Sequence, residues 1–143
     1  MKVFTIGYEG RTQAQVIDRL KAAGVARLVD VRAIAASRRA GFSKTVLRQS
    51  LEAEGIDYVH LRGLGTPKAG RDAAHKGRIA EMHAIYEAHL AEPQAELEFA
   101  RLKALAAEQP IALLCFEADA AGCHREILAR RLAREDGVEI VDL

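Results

Sequence analysis

Short apolar segments alternate with longer amphipathic ones along this chain, and that alternation limits the possible folds more than any other feature. The apolar segments, typical of buried strands, are residues 2–7, 26–32, 56–61, 111–116 and 138–142. Helical periodicity lies between them, at residues 12–23, 43–55, 79–91, 94–107 and 123–135. Strands that alternate with helices form a parallel sheet covered on both faces. We therefore predict a single α/β domain over residues 1–143, a three-layer αβα sandwich around a mostly parallel, five-stranded, Rossmann-like sheet of order 3-2-1-4-5.

Capping residues and glycines support these boundaries. Thr12 is a suitable N-cap for the first helix, which Gly24 ends, and Ser43 and Gly55 bound the second helix in the same way. The segment 62–78 carries four glycines and a proline, and we interpret it as a loop. A loop of this length is typical of a lid or a binding segment.

Composition places the chain among globular cytoplasmic proteins. Hydrophobic residues make up 50% of the chain, the formal net charge is +1, and only two cysteines are present. No apolar run approaches the roughly 20 residues that span a bilayer, and the start, MKVFTIGYEG, lacks the apolar core of a signal peptide. We expect a cytoplasmic location without a membrane partner, where both cysteines stay reduced.

Charge is distributed unevenly along the chain. Residues 32–78 hold ten Lys or Arg and four Asp or Glu, whereas residues 79–143 hold six and thirteen. A basic half of this kind is compatible with binding to nucleic acid or to another protein, and equally with solvated helix faces of differing sign. Four Phe and three Tyr, with no Trp, are few rings for stacking on single-stranded bases, so nucleic acid is not the favoured partner.

The predicted topology brings four loops to the carboxyl edge of the sheet. Ligands of open α/β sheets bind at this edge, near the point where the strand order reverses. In the order 3-2-1-4-5 this point lies between the first and fourth strands. We therefore expect the loop after residue 7 and the loop at 115–125 to face each other across a crevice.

The segment 111–132 has the greatest density of reactive side chains. Cys115 ends a predicted strand, the position of many catalytic thiols, and a nearby Arg125 or His124 would lower its pKa and favour the thiolate. Cys115 is equally compatible with a small hydrophobic residue that ends a core strand. We predict Cys115, Glu117 and His124 as catalytic residues. His124 would act as a general acid or base, and its alternative role is a contact at the helix start.

The spacing within this segment argues against a phosphatase- or rhodanese-like phosphate cradle. Such a cradle needs a cysteine that begins a tight loop of about five residues, whose amides converge on an anion and which an arginine closes. Nine residues separate Cys115 from Arg125, and two of them, Glu117 and Asp119, are acidic. Covalent phosphoryl or sulfur transfer of that type is therefore disfavoured.

A metal site is an open alternative for the same segment. Cys115, Cys123 and His124 are donors suited to zinc or iron. The candidates for a fourth ligand are Glu117, Asp119 and Asp30. However, the C-x7-C-H spacing is no standard zinc pattern, and adjacent side chains at a helix start turn inward together only awkwardly. We therefore assign no metal ligands, although zinc or iron is compatible with the sequence.

Arginines near two strand ends are candidates for holding an anion. A helix that opens near Arg125 presents free amides, and the guanidinium can make bidentate contacts to phosphate or carboxylate. Arg32 can do the same, or it can form a structural ion pair with Asp30 or Glu117. The predicted ligand-binding residues are Tyr8, Glu9, Asp30, Arg32, Ser37, Arg38, Cys123 and Arg125.

The turn after the first strand contains two of the predicted ligand-binding residues and argues against a dinucleotide cofactor. Tyr8 and Glu9 are expected to line the wall opposite the cysteine segment, unless they form only an exposed turn. The GYEG turn lacks the glycine pattern of a dinucleotide-binding fingerprint. We therefore predict neither a nicotinamide nor a flavin cofactor.

Four stretches of the chain resemble one known family. TIGYEGRT, LVDVRAIAASRRAGFSK, YVHLRGLGTPK and ALLCFEADAAGCHR occur in the order typical of the domain-of-unknown-function 488 family, and together they span nearly the whole chain. Ala35 and Ala120 stand where the family commonly has proline, which relaxes the backbone and removes no reactive group. The resemblance implies a Rossmann-like three-layer fold and no established reaction.

Three functions are compatible with these observations. The favoured one is a small enzyme whose crevice, lined by Cys, Glu, His and Arg, binds an anionic metabolite that resembles a phosphate or a nucleotide. The first alternative is a non-catalytic module that binds nucleic acid or protein through the basic residues of 32–78. The second alternative is a metal-dependent enzyme with Cys and His ligands.

Overall fold

A computed structural model describes residues 1–143 and shows a five-stranded, all-parallel sheet. The strands are Lys2–Gly7 (β1), Arg27–Asp30 (β2), Asp57–His60 (β3), Ile111–Cys115 (β4) and Glu139–Asp142 (β5). The helices are Gln13–Ala22 (α1), Lys44–Ala53 (α2), Lys68–His75 (α3), Ile79–Leu90 (α4), Pro93–Glu108 (α5) and Arg125–Asp136 (α6). This arrangement confirms the predicted α/β class and sandwich architecture.

The strand order is β3-β2-β4-β1-β5, so β1 and β4 exchange the positions that the sequence analysis predicted. All five residues of β4 are buried and none is charged, which suits the centre of a parallel sheet, where a strand is covered on both faces. β1 carries Thr5, whose hydroxyl donates to Asp142 of β5, and this contact lies on the side away from β4. The order 3-2-1-4-5 was therefore wrong, because strand patterns specify which strands are buried but not which pairs are adjacent.

Alternate residues of each strand point to opposite sides of the sheet and build two cores. One core packs α4, α5 and α6 against the sheet, and its residues include Val3, Val29, Tyr86, Phe99, Leu113 and Leu128. The other packs α1 and α2 against the opposite face, and its residues include Phe4, Ile6, Leu28, Val16, Leu47 and Leu114. The central strand β4 is apolar on both faces because both faces are covered, whereas the edge strands β3 and β5 are only partly buried.

The first two helices begin where the capping residues predicted. Thr12 accepts a hydrogen bond from the backbone N–H of Gln15, whose side chain accepts one in return from the Thr12 backbone, a complete capping box. Ser43 precedes α2 but does not cap it with its side chain. Its hydroxyl accepts from the backbone of Ser37 and donates to the carbonyl of the same residue, so it closes the preceding loop instead.

The segment 62–78, predicted as a loop, contains a single 3₁₀ turn, Arg62–Leu64, and the two-turn helix α3. Pro67 lies immediately before this helix, and Gly77, with φ 76°, follows it closely. These residues mark the ends of a helix rather than the interior of a loop. Helical periodicity was hidden because a helix of eight residues shows barely two turns of its pattern.

At the carboxyl edge of the sheet, the loop after β1 lies directly against the loop that joins β4 to α6, residues 116–124, which we call the cysteine loop. The two loops meet because β1 and β4 are neighbours in both the predicted and the observed order. The Glu9 N–H donates to the carbonyl of Phe116 at 2.8 Å. A methyl group added at Gly7 would overlap the carbonyl of Glu117, so only glycine permits this approach. α6 begins at Arg125, two residues later than predicted, after a 3₁₀ turn at Ala120–Gly122.

None of the six helices has both the length and the apolar composition needed to cross a bilayer.

Candidate functional site

A pocket of about 200 Å³ opens at the carboxyl edge, where the crevice was expected. β4 and the cysteine loop form its floor, Tyr8 and the segment after β2 form one wall, and α3 forms the other. Its lining residues include Tyr8, Arg32, Ile34, Thr66, Arg71, His75, Met82, Cys115, Phe116, Glu117, Cys123 and His124. The three predicted catalytic residues therefore all line the same pocket.

Cys115 and Cys123 lie side by side at the floor of the pocket. Cys115 is the last residue of β4 and pairs with Gly7, and Cys123 follows the 3₁₀ turn of the cysteine loop. Both are buried, and their sulfur atoms are joined as a disulfide with the Cα atoms 7.4 Å apart. The structure thus has a bonded pair where the sequence analysis expected two free thiols, because folding brings two positions of the loop together.

Arg125 lies beneath the floor of the pocket and does not line it. Its side chain is 1% exposed, and its Nη1 donates to Cys115 Sγ at 2.9 Å. The same guanidinium donates to the carbonyls of Glu117 and Ala118, while its buried Nε has no partner. Burial lowers the pKa of Arg125, but a guanidinium stays protonated at neutral pH. No carboxylate bonds to this cation, so once the disulfide is reduced a Cys115 thiolate would be the anion in direct contact with it.

The bonding of Arg125 changes its expected role. The loop offers carbonyl oxygens to the guanidinium, whereas a phosphate cradle directs amides toward an anion. Those carbonyls occupy donors that a bound phosphate would need. Arg125 is therefore in direct contact with Cys115 and bonded to the loop carbonyls, while ligand binding by Arg125 stays a prediction.

Glu117 is the titratable group next to Cys115 on the pocket side. Its Oε2 lies 3.3 Å from Cys115 Sγ, and its side chain is half-buried. Burial raises the pKa of this carboxyl, so it stays protonated to a higher pH than an exposed glutamate does. A carboxyl of this kind, in contact with a sulfur, can donate a proton to a leaving group or accept one.

The side chains of Cys123 and His124 both turn toward Cys115, whereas the sequence analysis expected adjacent side chains at a helix start to turn inward together only awkwardly. Cys123 is extended, with φ −130° and ψ 148°, whereas His124 has helical angles, φ −61° and ψ −22°. This change of conformation between neighbours brings the two side chains to the same side. His124 Nε2 lies 2.7 Å from the carbonyl of Val31, and burial lowers the pKa of the imidazole to about 4. His124 is thus neutral at physiological pH.

Arg32 is held by Asp30, one of the alternatives that the sequence left open. The fully buried Asp30 carboxylate accepts from Arg32 Nε at 2.9 Å and from Nη2 at 2.7 Å, and also from the Tyr58 hydroxyl at 2.5 Å. Burial disfavours the charged guanidinium, but the Asp30 carboxylate outweighs it and raises the pKa of Arg32. Arg32 lines the pocket, and its charge is already neutralised there.

The two residues after β1 have separate positions. Tyr8 is buried, stacks on Phe42 with centroids 4.3 Å apart and accepts from Arg32 Nη1 at 3.1 Å, so it forms a wall of the pocket. Glu9 is exposed and outside the pocket, and its carboxylate accepts from the Ala118 N–H at 3.1 Å. Glu9 therefore anchors the cysteine loop from outside the pocket, and its contact with a ligand stays a prediction.

Asp30, Ser37 and Arg38 are among the predicted ligand-binding residues, and the structure places all three outside the pocket lining. Asp30 lies behind Arg32. Ser37 bonds to Ser43 in the loop that precedes α2, and Arg38 is exposed. The sequence did not show which side chains face the pocket, because distance along the chain from Arg32 does not determine it, and direct ligand contact by these three residues stays a prediction.

Sequence reasoning missed the wall that α3 and α4 contribute. Thr66, Arg71 and His75, from the segment interpreted as a lid or binding loop, line the pocket, and so does Met82 of α4. Arg71 donates through Nη1 to the carbonyl of Thr66 at 2.8 Å and forms no ion pair. The spacing of Arg71 and His75, four residues apart, puts both on one face of a helix, and this was the signal available in the sequence.

Comparison with known proteins matches most of the chain to a family model. Neither the curated proteins nor the solved structures include a match to this chain. The family model described as domain of unknown function DUF488 matches residues 12–132. This range includes β2, β3 and β4, the whole of helices α1 to α5, the first two turns of α6, and every cysteine and histidine of the pocket floor. On this match, and in agreement with the resemblance of its motifs, the chain belongs to the DUF488 family.

Proposed function

We propose that the protein is a small cysteine-dependent enzyme that acts, in its reduced form, on an anionic metabolite bound in the pocket. The observation that carries the proposal is the contact between Arg125 Nη1 and Cys115 Sγ, 2.9 Å long and shielded from water. A buried cation beside a thiol favours the thiolate, which is the nucleophilic form. The location we propose is a reducing compartment, the cytoplasm.

The chemistry of the proposed reaction is a nucleophilic displacement. The Cys115 thiolate forms a bond to an electrophilic atom of the substrate, and the leaving group departs with the electrons of the broken bond. Glu117, 3.3 Å from the sulfur and with a raised pKa, donates a proton to that leaving group. In a second displacement, water or another protic nucleophile attacks the same atom and gives its proton to the Glu117 carboxylate, and the bond to sulfur breaks to return the thiolate.

The preference for an anion rests on the charges that face the pocket. Arg32 is neutralised by Asp30, whereas Arg71 is a pocket cation bonded only to a carbonyl. His75 lies beside it on the same wall. A pocket of about 200 Å³ is smaller than the roughly 300–1,000 Å³ of drug-sized ligand sites, so the substrate class is a small metabolite.

The test measures the pKa of each thiol by its alkylation rate with iodoacetamide across pH, in reduced, chelator-treated protein. Cys123→Ser leaves Cys115 as the only thiol, and Cys115→Ser leaves Cys123 as the matched control in the same loop. We expect Cys115 to titrate below pH ~7, within the range of activated thiols, and at least about 1 unit below Cys123.

If Cys115 titrates near the ordinary value of about 8.5, or no lower than Cys123, the proposed thiolate does not exist and the proposal fails. Arg125→Met on the Cys123→Ser background then identifies the cause of a lowered value. In that variant the pKa of Cys115 should rise to about 8.5 or above, because the neighbouring cation is gone. Circular dichroism checks that the variant is folded.

A further inference from the structure

We propose that the reduced protein binds one divalent ion of the zinc class through Cys115, Cys123 and His124 at the floor of the pocket. One ligand atom from each residue lies within 4.8 Å of the other two, and all three residues are buried. This inference and the proposed function both use the Cys115 thiolate, but the inference is argued from different contacts. These are the orientation of His124 and the placement of the two sulfurs.

The hydrogen bond that His124 makes through Nε2 leaves its other ring nitrogen, Nδ1, free to bind a metal ion. A carbonyl oxygen only accepts, so His124 Nε2, 2.7 Å from the Val31 carbonyl, carries the proton and donates it. Nδ1 then has its lone pair available, and it lies 3.6 Å from Cys123 Sγ. Metal-bound histidines characteristically donate their second ring nitrogen to a carbonyl or carboxylate, which fixes the ring in this way.

The backbone positions of the two cysteines suit an ion between the sulfurs. Their Cα atoms are 7.4 Å apart, beyond the range of about 4.4–6.8 Å that is usual for disulfides. Two thiolates on a tetrahedral zinc at about 2.3 Å have sulfurs about 3.8 Å apart. A pair of zinc-bound thiolates needs its sulfurs farther apart than a disulfide does, and the wide Cα separation agrees with that requirement.

The donor set and its charge select the zinc class. Two thiolates and one neutral imidazole are the protein ligands of one class of catalytic zinc site, in which the fourth position is open. Here all three ligands line the pocket, so the fourth position faces its interior. Two thiolates balance the dipositive ion, and the nearby Arg125 guanidinium leaves the site with a preference for an anion as the fourth ligand.

Binding requires the disulfide of this structure to be opened. A thiol reductant supplies two electrons and two protons, the S–S bond breaks to give two thiols, and the reductant becomes its own disulfide. The ion then displaces the remaining thiol protons as it binds. The oxidised protein has no thiolates to offer, so metal binding depends on reduction.

Metal binding and nucleophilic attack compete for the same sulfur. Zinc on Cys115 removes the free thiolate that the proposed enzyme uses, so the ion is predicted to act as a reversible inhibitor of that thiol. Zinc should therefore slow the alkylation of Cys115 in the wild-type protein. His124→Asn, which keeps both thiols, should lose most of this protection.

The experiment titrates chelator-stripped, reduced protein with Zn²⁺ against a chromogenic chelator in the absence of oxygen, and repeats the titration with Co²⁺ to record its spectrum. The variants are Cys123→Ser and His124→Asn. The matched control is His60→Asn, because His60 Nε2 lies 2.7 Å from the Arg32 carbonyl at the same sheet edge and outside the cluster. Protein kept oxidised is the second control, and a thermal melt of each variant confirms that it is folded.

We expect one equivalent of Zn²⁺ per chain and a thiolate-to-cobalt charge-transfer band. Both ligand variants should bind at least about 100-fold more weakly, since loss of a supporting hydrogen bond alone costs about 10–100-fold. The His60→Asn variant should match the wild type, and the oxidised protein should bind no ion. Less than one equivalent on the reduced wild type, or binding that survives both ligand substitutions, overturns the inference. The thiol titration described above would be unaffected by that outcome, so the two proposals fail independently.

Discussion

At the scale of single residues, the negative charge of Asp30 neutralises Arg32, the buried cation in the wall of the pocket. Its carboxylate is fully buried and accepts from the Arg32 side chain, the Arg32 backbone N–H and the Tyr58 hydroxyl. Burial, and then the negative charge of Asp30, raise the pKa of Tyr58, so its hydroxyl stays protonated and continues to donate. The carboxylate thus neutralises a guanidinium that is itself only 6% exposed.

Removal of that carboxylate leaves a buried, unpaired cation. We expect Asp30→Ala to lower the free energy of unfolding by about 3–5 kcal/mol, measured by urea denaturation. Glu54→Ala is the matched control, because Glu54 pairs with Lys21 at 2.8 Å on the surface, where such a pair contributes about 1 kcal/mol or less. Equal losses in the two variants would contradict the role given to Asp30.

At the scale of elements, the site depends on how closely β1 approaches the loop after β4. Gly7 and Cys115 are partners in the sheet, and the chain beyond Gly7 bonds to the loop through Glu9 and Phe116. The loop in turn supplies the two carbonyls that hold Arg125. Backbone contact between these two elements therefore sets the position of the guanidinium against the sulfur.

Gly7→Ala tests this contact, because its methyl group would meet the backbone carbonyl of Glu117. We expect a loss of about 1–3 kcal/mol in unfolding free energy and a rise in the pKa of Cys115 toward the ordinary thiol value, as the loop moves from Arg125. The control is Gly122→Ala, in the same loop, where an added methyl group meets no atom within 4 Å. A folded Gly7→Ala variant with an unchanged thiol pKa would show that the approach does not position Arg125.

At the scale of the whole molecule, the pocket is assembled from parts of the chain that differ in charge. Its cationic wall comes from α3, in the basic part of the sequence, and its floor comes from the acidic half. Some of the basic residues are engaged within the fold, as Arg32 is with Asp30 and Lys68 with Asp72. Binding of nucleic acid by the basic residues stays a prediction that no contact in the structure tests.

An anion held by Arg71 should stabilise the whole domain. At ten times its Kd a ligand contributes about 1.4 kcal/mol, or about 3–6 °C in Tm for a domain of this size. The measurement is a thermal-shift screen of reduced protein with phosphorylated and carboxylated metabolites, begun with inorganic phosphate. Arg71→Met should abolish the shift, whereas Arg48→Met, an equal loss of charge at an exposed position outside the pocket, should retain it. A shift that survives Arg71→Met would place the anion elsewhere.

Local sequence patterns determined much of this protein. Apolar alternation and caps such as Thr12 predicted the five strands and five of the six helices, because both report on the nearest neighbours along the chain. The same reasoning placed Cys115 at the carboxyl edge of the sheet, since the carboxyl ends of parallel strands meet at one edge.

Only the tertiary structure decided which residues meet at that edge. It placed β4 at the centre of the sheet, put Arg125 rather than His124 in contact with the Cys115 sulfur, and added Arg71 from a helix too short to show its period. It also turned Cys123 toward Cys115. These outcomes depend on contacts between residues far apart in sequence, where burial and neutralisation of charge select one arrangement among several that the local patterns allow equally.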